Sequence, residues 1–182
     1  MLPALNSLFT TQYKPTACTN HDTAQFLDNT ATHSHTTIRY NRSDMVLHMH
    51  SDVSFLCEPN AKRRIGSFFF MINQSSDPTK PHTQQSKLNG VLHVECRLLR
   101  RIMASAAEAE IGGVFHNCQT SVLLRIALQE LGHSQPPTPI QTDNSTTVSF
   151  ANSTIKIKRT KAVDMNFHWI KDRICQKEFL VY

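Results

Sequence analysis

The sequence predicts an α/β fold in which a mixed sheet, its first three strands antiparallel, is covered by helices. Three observations carry this. Residues 45–98 hold three apolar segments separated by polar loops bearing Pro or Gly. Residues 105–131 then repeat their apolar positions at the helix period and stop at Gly132. A short strand segment at 138–142 and two further helical stretches follow, with a candidate last strand at 179–182. Three consecutive strands followed by α, β and α are the layout of a mixed sheet. A chain of 182 residues accommodates one such domain with a short appendage, and 40% hydrophobic residues are enough for a core.

The appendage is residues 1–44, rich in Thr, Asn and His and without sustained period. It reads as a linker with one helical piece from Thr23 to about Thr32, capped by Asp22, with Phe26 and Leu27 facing the protein. The domain is residues 45–182. In MVLHMHSD, Val46, His48 and His50 alternate with Leu47, Met49 and Ser51, the period of a strand. EPNAKRR is a polar loop. IGSFFFMI, at 65–72, is a buried strand, and VLHVECRL, at 91–98, is the third. The 73–90 connection carries Asp77-Pro78, Lys80-Pro81 and Asn89-Gly90 and is a loop.

The long helix places Ala107, Ile111, Val114, Cys118, Val122, Leu128 and Leu131 at its apolar spacing. Gly112-Gly113 interrupts good helix formers and marks a close packing contact. Pro136, Pro137 and Pro139 stiffen the next connection, and TPIQT is a short strand ending at Asp143. A helical turn at 145–151, a basic stretch IKIKRTK and a final helix near 161–176 complete the order. In that helix Val163, Phe167, Ile170 and Ile174 form one stripe.

The formal charge of +5 is compatible with a nucleic-acid partner without specifying one. Cys18, Cys57, Cys96, Cys118 and Cys175 are odd in number and scattered, which argues against a disulfide framework or a zinc ribbon. The N-terminus lacks a basic segment before its short apolar stretch, and no run has the length of a membrane span. An intracellular protein with no membrane partner is the expectation.

Four acids sit where such a fold can gather them. Asp52 is expected at the end of the first strand, Glu110 early in the long helix, Asp143 at the end of the fourth strand and Asp164 at the start of the last helix. Holding two hard cations such as Mg²⁺ for phosphodiester hydrolysis requires a set of carboxylates of this kind. Glu108 competes with Glu110, but two residues turn a helix by about 200°, so they cannot share a direction. Glu110 falls on the line of Met103, Ala107, Val114 and Leu128 at the edge of the packed face, whereas Glu108 is expected in solvent. Taken singly, each Asp is as well explained as a cap or turn residue.

The residues around these acids resemble the ribonuclease H domain of copia-type retrotransposon polyproteins. The match is carried by SDVSFL, SAAEAEI, TDNST and RTKAVDMNFHWIKDR, in that order, and spans residues 45–182. Residues 23–40 also resemble the stretch that links the reverse transcriptase to this domain. The resemblance implies a ribonuclease H-like mixed five-stranded sheet with helices on both sides. It further implies endonucleolytic cleavage of the RNA strand of RNA–DNA hybrids with two Mg²⁺ (or Mn²⁺) ions. Asp52, Glu110, Asp143 and Asp164 take the catalytic, metal-binding positions, and the second Glu of the Glu-Ala-Glu pair is the family's. The implied partners are the hybrid and the reverse transcriptase domain of a parent polyprotein, in a cytoplasmic virus-like particle. The chain departs from the family pattern at Val53, at Ala106-Ala107, at Ile111 and at Ala162-Val163, and none of these removes a carboxylate.

A hybrid is sensed through 2′-hydroxyls in its wide minor groove and through phosphates. Asn144, Ser145 and Gln141 beside Asp143 are candidates for the first contact, though Asn and Ser here equally suit a helix cap. Lys156, Lys158, Arg159 and Lys161 are candidates for the second, as are Lys62, Arg63 and Arg64, with a solvated basic loop the alternative for both groups. His33-x-His35 and His48-x-His50 lack a matching second pair for a metal, and Trp169 reads as core. Two rival functions share the sheet order. One is an inactive remnant that only binds nucleic acid. The other is an integrase- or transposase-like strand-transfer domain, whose third acid is commonly Glu where this chain has Asp164.

Overall fold

The computed structural model describes residues 2–58, 62–74, 89–99, 105–152 and 161–182, without the side chains of 55–58, 62 and 161–164. The chain divides into two compact units, Met1–Arg39 and Tyr40–Tyr182.

The first unit holds two helices, α1 (Leu2–Thr11) and α2 (Ala17–Thr32). The sequence suggested one shorter helix capped by Asp22. Instead Thr16 caps α2: the Thr19 N–H donates to Thr16 Oγ1 and the Thr16 N–H donates to Thr19 Oγ1, each at 3.2 Å. This is a capping box with Thr in place of the usual Glu or Gln, so its signal is weak in the sequence. Asp22 lies inside the helix, Phe26 is half-buried and Leu27 is exposed.

The second unit starts ahead of Met45 because residues 40–44 are tied to the sheet. Tyr40 Oη donates to the Val91 carbonyl at 3.0 Å, and the Asn41 N–H donates to Asn89 Oδ1 at 2.7 Å. Gly90 lies against the Tyr40 ring with no room for a Cβ. The elements are β1 (Val46–Glu58), β2 (Lys62–Ile72), β3 (Val91–Leu99), α3 (Ala106–Glu130), β4 (Thr138–Thr142), α4 (Ser145–Ala151), α5 (Lys161–Cys175) and β5 (Phe179–Val181). They form a five-stranded sheet in the order β3-β2-β1-β4-β5. β1–β2 and β2–β3 are antiparallel, and β1–β4 and β4–β5 are parallel. The mixed sheet and its antiparallel first half are as the sequence indicated.

The strand alternation splits the core. Leu47, Met49, Phe69, Met71, Ile140, Phe179 and Val181 share one cluster with Ile111, Val114, Cys118 and Leu128 of α3, Ala151 of α4 and Ile170 of α5. All three helices of this unit therefore pack on the same sheet face, where the resemblance implied helices on both sides. Val46, Phe70 and Ile72 form a separate cluster with Phe68. Trp169 is half-buried, with its ring 5.2 Å from Phe115 and under the Arg173 guanidinium, so it is a packing residue. Ser105 caps α3 through the Glu108 N–H at 3.1 Å, and Gly132 follows the helix at φ 88°, a conformation that favours Gly. Met103 lies outside the described residues.

β2 begins earlier than expected. Arg63 and Arg64 belong to it and are buried, at 5% and 6% exposure, where the sequence left a phosphate contact and a solvated loop open. Arg63 Nη1 reaches the Ser105 carbonyl at 3.4 Å, so this cation is used at the start of α3. Arg125 of α3 is likewise buried. It donates to the carbonyls of Pro136 (2.6 Å) and Gln135 (3.1 Å) and to Thr138 Oγ1 (2.6 Å), fixing the connection into β4. Gln135 in turn donates to the Met45 carbonyl and accepts from the Leu47 N–H. The start of β4 is thereby set beside the start of β1.

Candidate metal centre

Two adjacent parallel strands bring the first pair of acids together. The β1–β4 register runs Met49↔Ile140, His50↔Gln141, Ser51↔Thr142 and ends there. Asp52 and Asp143 are the next residues on each chain. Asp52 is therefore not at the end of its strand, as the sequence suggested, because β1 continues to Glu58 against β2. What ends at Asp52 is the pairing with β4. Both carboxylates are exposed.

Glu110 arrives from above, on the second turn of α3. The close approach of helix and strand that this needs is made by Gly113, one turn further on. A Cβ at Gly113 would overlap Val53 Cγ2, so the helix rides directly on the residue after Asp52. The Gly-Gly pair thus marks a packing contact, at its second position. The result is a cluster in which carboxylate oxygens of Asp52, Glu110 and Asp143 all lie within 4.8 Å of one another. Glu108, in the first turn, is half-buried rather than fully in solvent and does not join this cluster.

The electrostatics of Glu110 follow from its place. It is 8% exposed, and its Oε2 has no hydrogen-bond partner. Burial pushes its pKa up to about 7, with the nearby Asp143 and Asp52 carboxylates adding to the rise and a hydrogen bond from the Val53 backbone opposing it. Three carboxylates facing one another, one of them buried with a spare oxygen, form an all-oxygen donor set suited to a hard divalent cation. Among the described residues this is the one group of three or more His, Cys, Asp or Glu with such a spacing.

The fourth expected acid, Asp164, falls in the first turn of α5, and its side chain lies outside the described residues, as does that of Lys161. Lys156, Lys158 and Arg159 lie outside them entirely. Asn144 caps α4: its Oδ1 accepts from the Thr146 and Thr147 N–H groups at 3.0 and 3.1 Å. Ser145, the first residue of α4, and Gln141 are exposed. His48 is buried with its Nε2 2.6 Å from Tyr182 Oη, and His50 is half-buried with its pKa lowered by burial. Neither is part of a metal cluster among the described residues. Cys18, Cys96, Cys118 and Cys175 form no disulfide, and no described helix is long and apolar enough to cross a membrane.

One feature of the site escaped the sequence reading. The buried face of α3 carries a polar line, with Asn117, Ser121 and Arg125 following Glu110. Asn117 stands seven residues from Glu110, close to two full turns, so the two share a direction. That spacing is the signal by which it was findable.

No protein-family model and no curated protein matches the chain. Solved structures do. One is a ribonuclease H1, LC11, isolated from compost by a metagenomic approach, at 11% identity and a TM-score of 0.51, covering 75% of this chain and 82% of that one. Another is the N-terminal ribonuclease H domain of Rv2228c from Mycobacterium tuberculosis, at 14% identity and a TM-score of 0.50, covering 76% and 80%. At such identities the likeness concerns the fold alone, and with the sheet order β3-β2-β1-β4-β5 it establishes that this chain has the ribonuclease H fold.

Proposed function

We propose that residues 45–182 form a metal-dependent endoribonuclease that cleaves the RNA strand of RNA–DNA hybrids, derived from a copia-type retrotransposon polyprotein. The observation that carries this reading is the Asp52–Glu110–Asp143 cluster at the end of the β1–β4 pairing. It is supported by the ribonuclease H fold and by the four motifs in their order along the chain. Asp164 is assigned as the fourth carboxylate, from its place in the first turn of α5.

Divalent cations bound here supply charge neutralisation at the phosphate and an activated water. The chain's own residues set up that site. Glu110 anchors it from the buried side, its carboxylate oriented by the Val53 N–H. Asp52 and Asp143 present exposed oxygens on the side a substrate would approach. With its Oδ1 used in the cap, Asn144 retains its Nδ2 for a ribose hydroxyl, and exposed Ser145 stands beside it. Lys158, Arg159 and Lys161 are assigned to phosphates on their charge and their nearness in sequence to Asp164.

The test is incubation of an end-labelled RNA–DNA hybrid with the full chain, with Mg²⁺ or with EDTA. Cleavage confined to the RNA strand, dependent on Mg²⁺ and lost in Asp143→Asn, is the expected result. No cleavage by a folded sample would leave the inactive-remnant reading standing, and cleavage or joining of DNA-only substrates would favour the strand-transfer reading.

A further inference from the structure

Asp52 and Glu110 belong to different layers, and like charge pushes them apart. Something must hold α3 against β1 at a fixed height and register. Gly113 sets the height on the far side of Asp52, by contact with Val53. On the near side stands Asn117, which is 0% exposed. Its Nδ2 donates to Ser51 Oγ at 2.8 Å and to the Gly66 carbonyl at 3.2 Å. Ser51 is the residue before Asp52, and Gly66 is the cross-strand partner of Asp52 in β2. One side chain of α3 therefore grips both chain segments that position Asp52. Glu110 stands about 10 Å along the same helix, at the 1.5 Å rise per residue.

The surroundings show that this is a polar seam rather than ordinary packing. Ser51, Ser67, Asn117 and Ser121 are all buried. Ser67 is the register partner of Ser51, and Ser121 is one turn along α3 from Asn117. Asn117 Oδ1, Ser67 Oγ and Ser121 Oγ have no partner. An apolar residue at 117 would fill the same space without orphaning those groups further. The one feature specific to the amide is its pair of directed bonds to Ser51 and Gly66.

We infer that Asn117 is a positioning residue of the metal centre, fixing the Asp52–Glu110 separation by tying α3 to Ser51 and Gly66. The inference rests on the proposed metal site. Partners lying behind metal ligands affect affinity by about 10- to 100-fold when lost, because they hold the ligands where the ion needs them.

The experiment is Mn²⁺ binding to the full chain, followed by calorimetry or by the spin resonance of free Mn²⁺, beside thermal unfolding of the same samples in EDTA. The variants are Asn117→Leu, which keeps the branching at Cγ without the polar atoms, and Ser51→Ala with Asn117→Leu, which also removes the hydroxyl left alone. The double variant is expected to recover part of the stability lost in the single one, since the Ser51 hydroxyl that the single change leaves unpaired is gone. Its Mn²⁺ dissociation constant is expected to stay raised by about tenfold or more. Recovery of affinity together with stability would overturn the inference and make Asn117 a structural residue only. Equal affinity in all three proteins would overturn it as well, while leaving the metal site intact. An unmodified chain that is folded and binds no Mn²⁺ would overturn the metal reading and this inference with it.

Discussion

Replacing Glu110 with Gln is predicted to stabilise the metal-free protein, increasingly so as pH rises. In the folded chain burial and the two neighbouring aspartates raise the Glu110 pKa from 4.5 to about 7. Between those values the native state holds a proton that the unfolded chain releases. Stability from this group is therefore complete below pH 4.5 and is lost as pH climbs through 7. At about 1.4 kcal/mol per unit, the charged carboxylate costs the fold about 3 kcal/mol at pH 8 and about 1 kcal/mol at pH 5. Gln keeps the size and an acceptor for the Val53 N–H and carries no charge. The assay is urea unfolding of both proteins in EDTA at pH 5, 6.5 and 8. The variant is expected to gain on the wild type by about 2 kcal/mol across that range, which for a domain of this size is a melting shift of roughly 4–8 °C. Mg²⁺ or Mn²⁺ is expected to raise the melting temperature of the wild type at pH 8 and to leave the variant nearly unchanged. A constant stability difference across pH, or a variant less stable at pH 8, would refute the view that Glu110 is buried against two like charges.

Two packing predictions follow from the same frame. Gly113→Ala drives a methyl group into Val53 and is expected to cost about 1–3 kcal/mol in denaturant unfolding, with most of it recovered when Val53→Ala is added. If the single variant is neutral, Gly113 does not set the helix height. Arg125→Met removes donors from the carbonyls of Gln135 and Pro136 and from Thr138 Oγ1, and is expected to cost about 3 kcal/mol by the same measurement. A loss under about 0.5 kcal/mol would show that the 135–138 connection holds its shape without it.

The sheet was legible in the sequence because its strands are separated by turn residues, and the long helix because its apolar residues recur at the helix period and stop at Gly132. Each of those signals is local. The errors are where a local signal was outvoted. Arg63 and Arg64 look like a solvated loop because they are charged and follow a Pro. They are drawn into β2 because the strand is already paired with β1 on one side and β3 on the other, and Arg63 has the Ser105 carbonyl to meet. Asp22 looked like a cap because Asp commonly is one, but the helix had already begun at Ala17 under Thr16. For the site, the choice of Glu110 over Glu108 followed from rotation about a helix axis and needed no tertiary information. The position of Asp52 did need it. Nothing in SDVSFL says that β1 outlasts β4, and the acid's role depends on where that pairing stops, not on where the strand does.

The polar line of α3 makes the same point about what a periodic pattern conceals. Apolar residues at helix spacing identify a packed face, and Ile111, Val114, Cys118 and Leu128 did so here. The same face carries Glu110, Asn117, Ser121 and Arg125, all buried. A helix needing only to cover a sheet would gain by replacing each of them with Leu or Ala, since buried polar groups cost free energy unless paired. Two of the four have directed bonds that fix neighbouring strands: Asn117 beside Asp52 in β1, Arg125 at the start of β4. A third, Glu110, has one oxygen with no protein partner and is clustered with two more carboxylates. The departures from apolar periodicity thus coincide with the points at which α3 sets the geometry of β1 and β4. Asp52 lies in the first of those strands and Asp143 directly follows the second, so the polar residues of the helix and the acids of the sheet form one unit, and disturbing the first should be read out at the second.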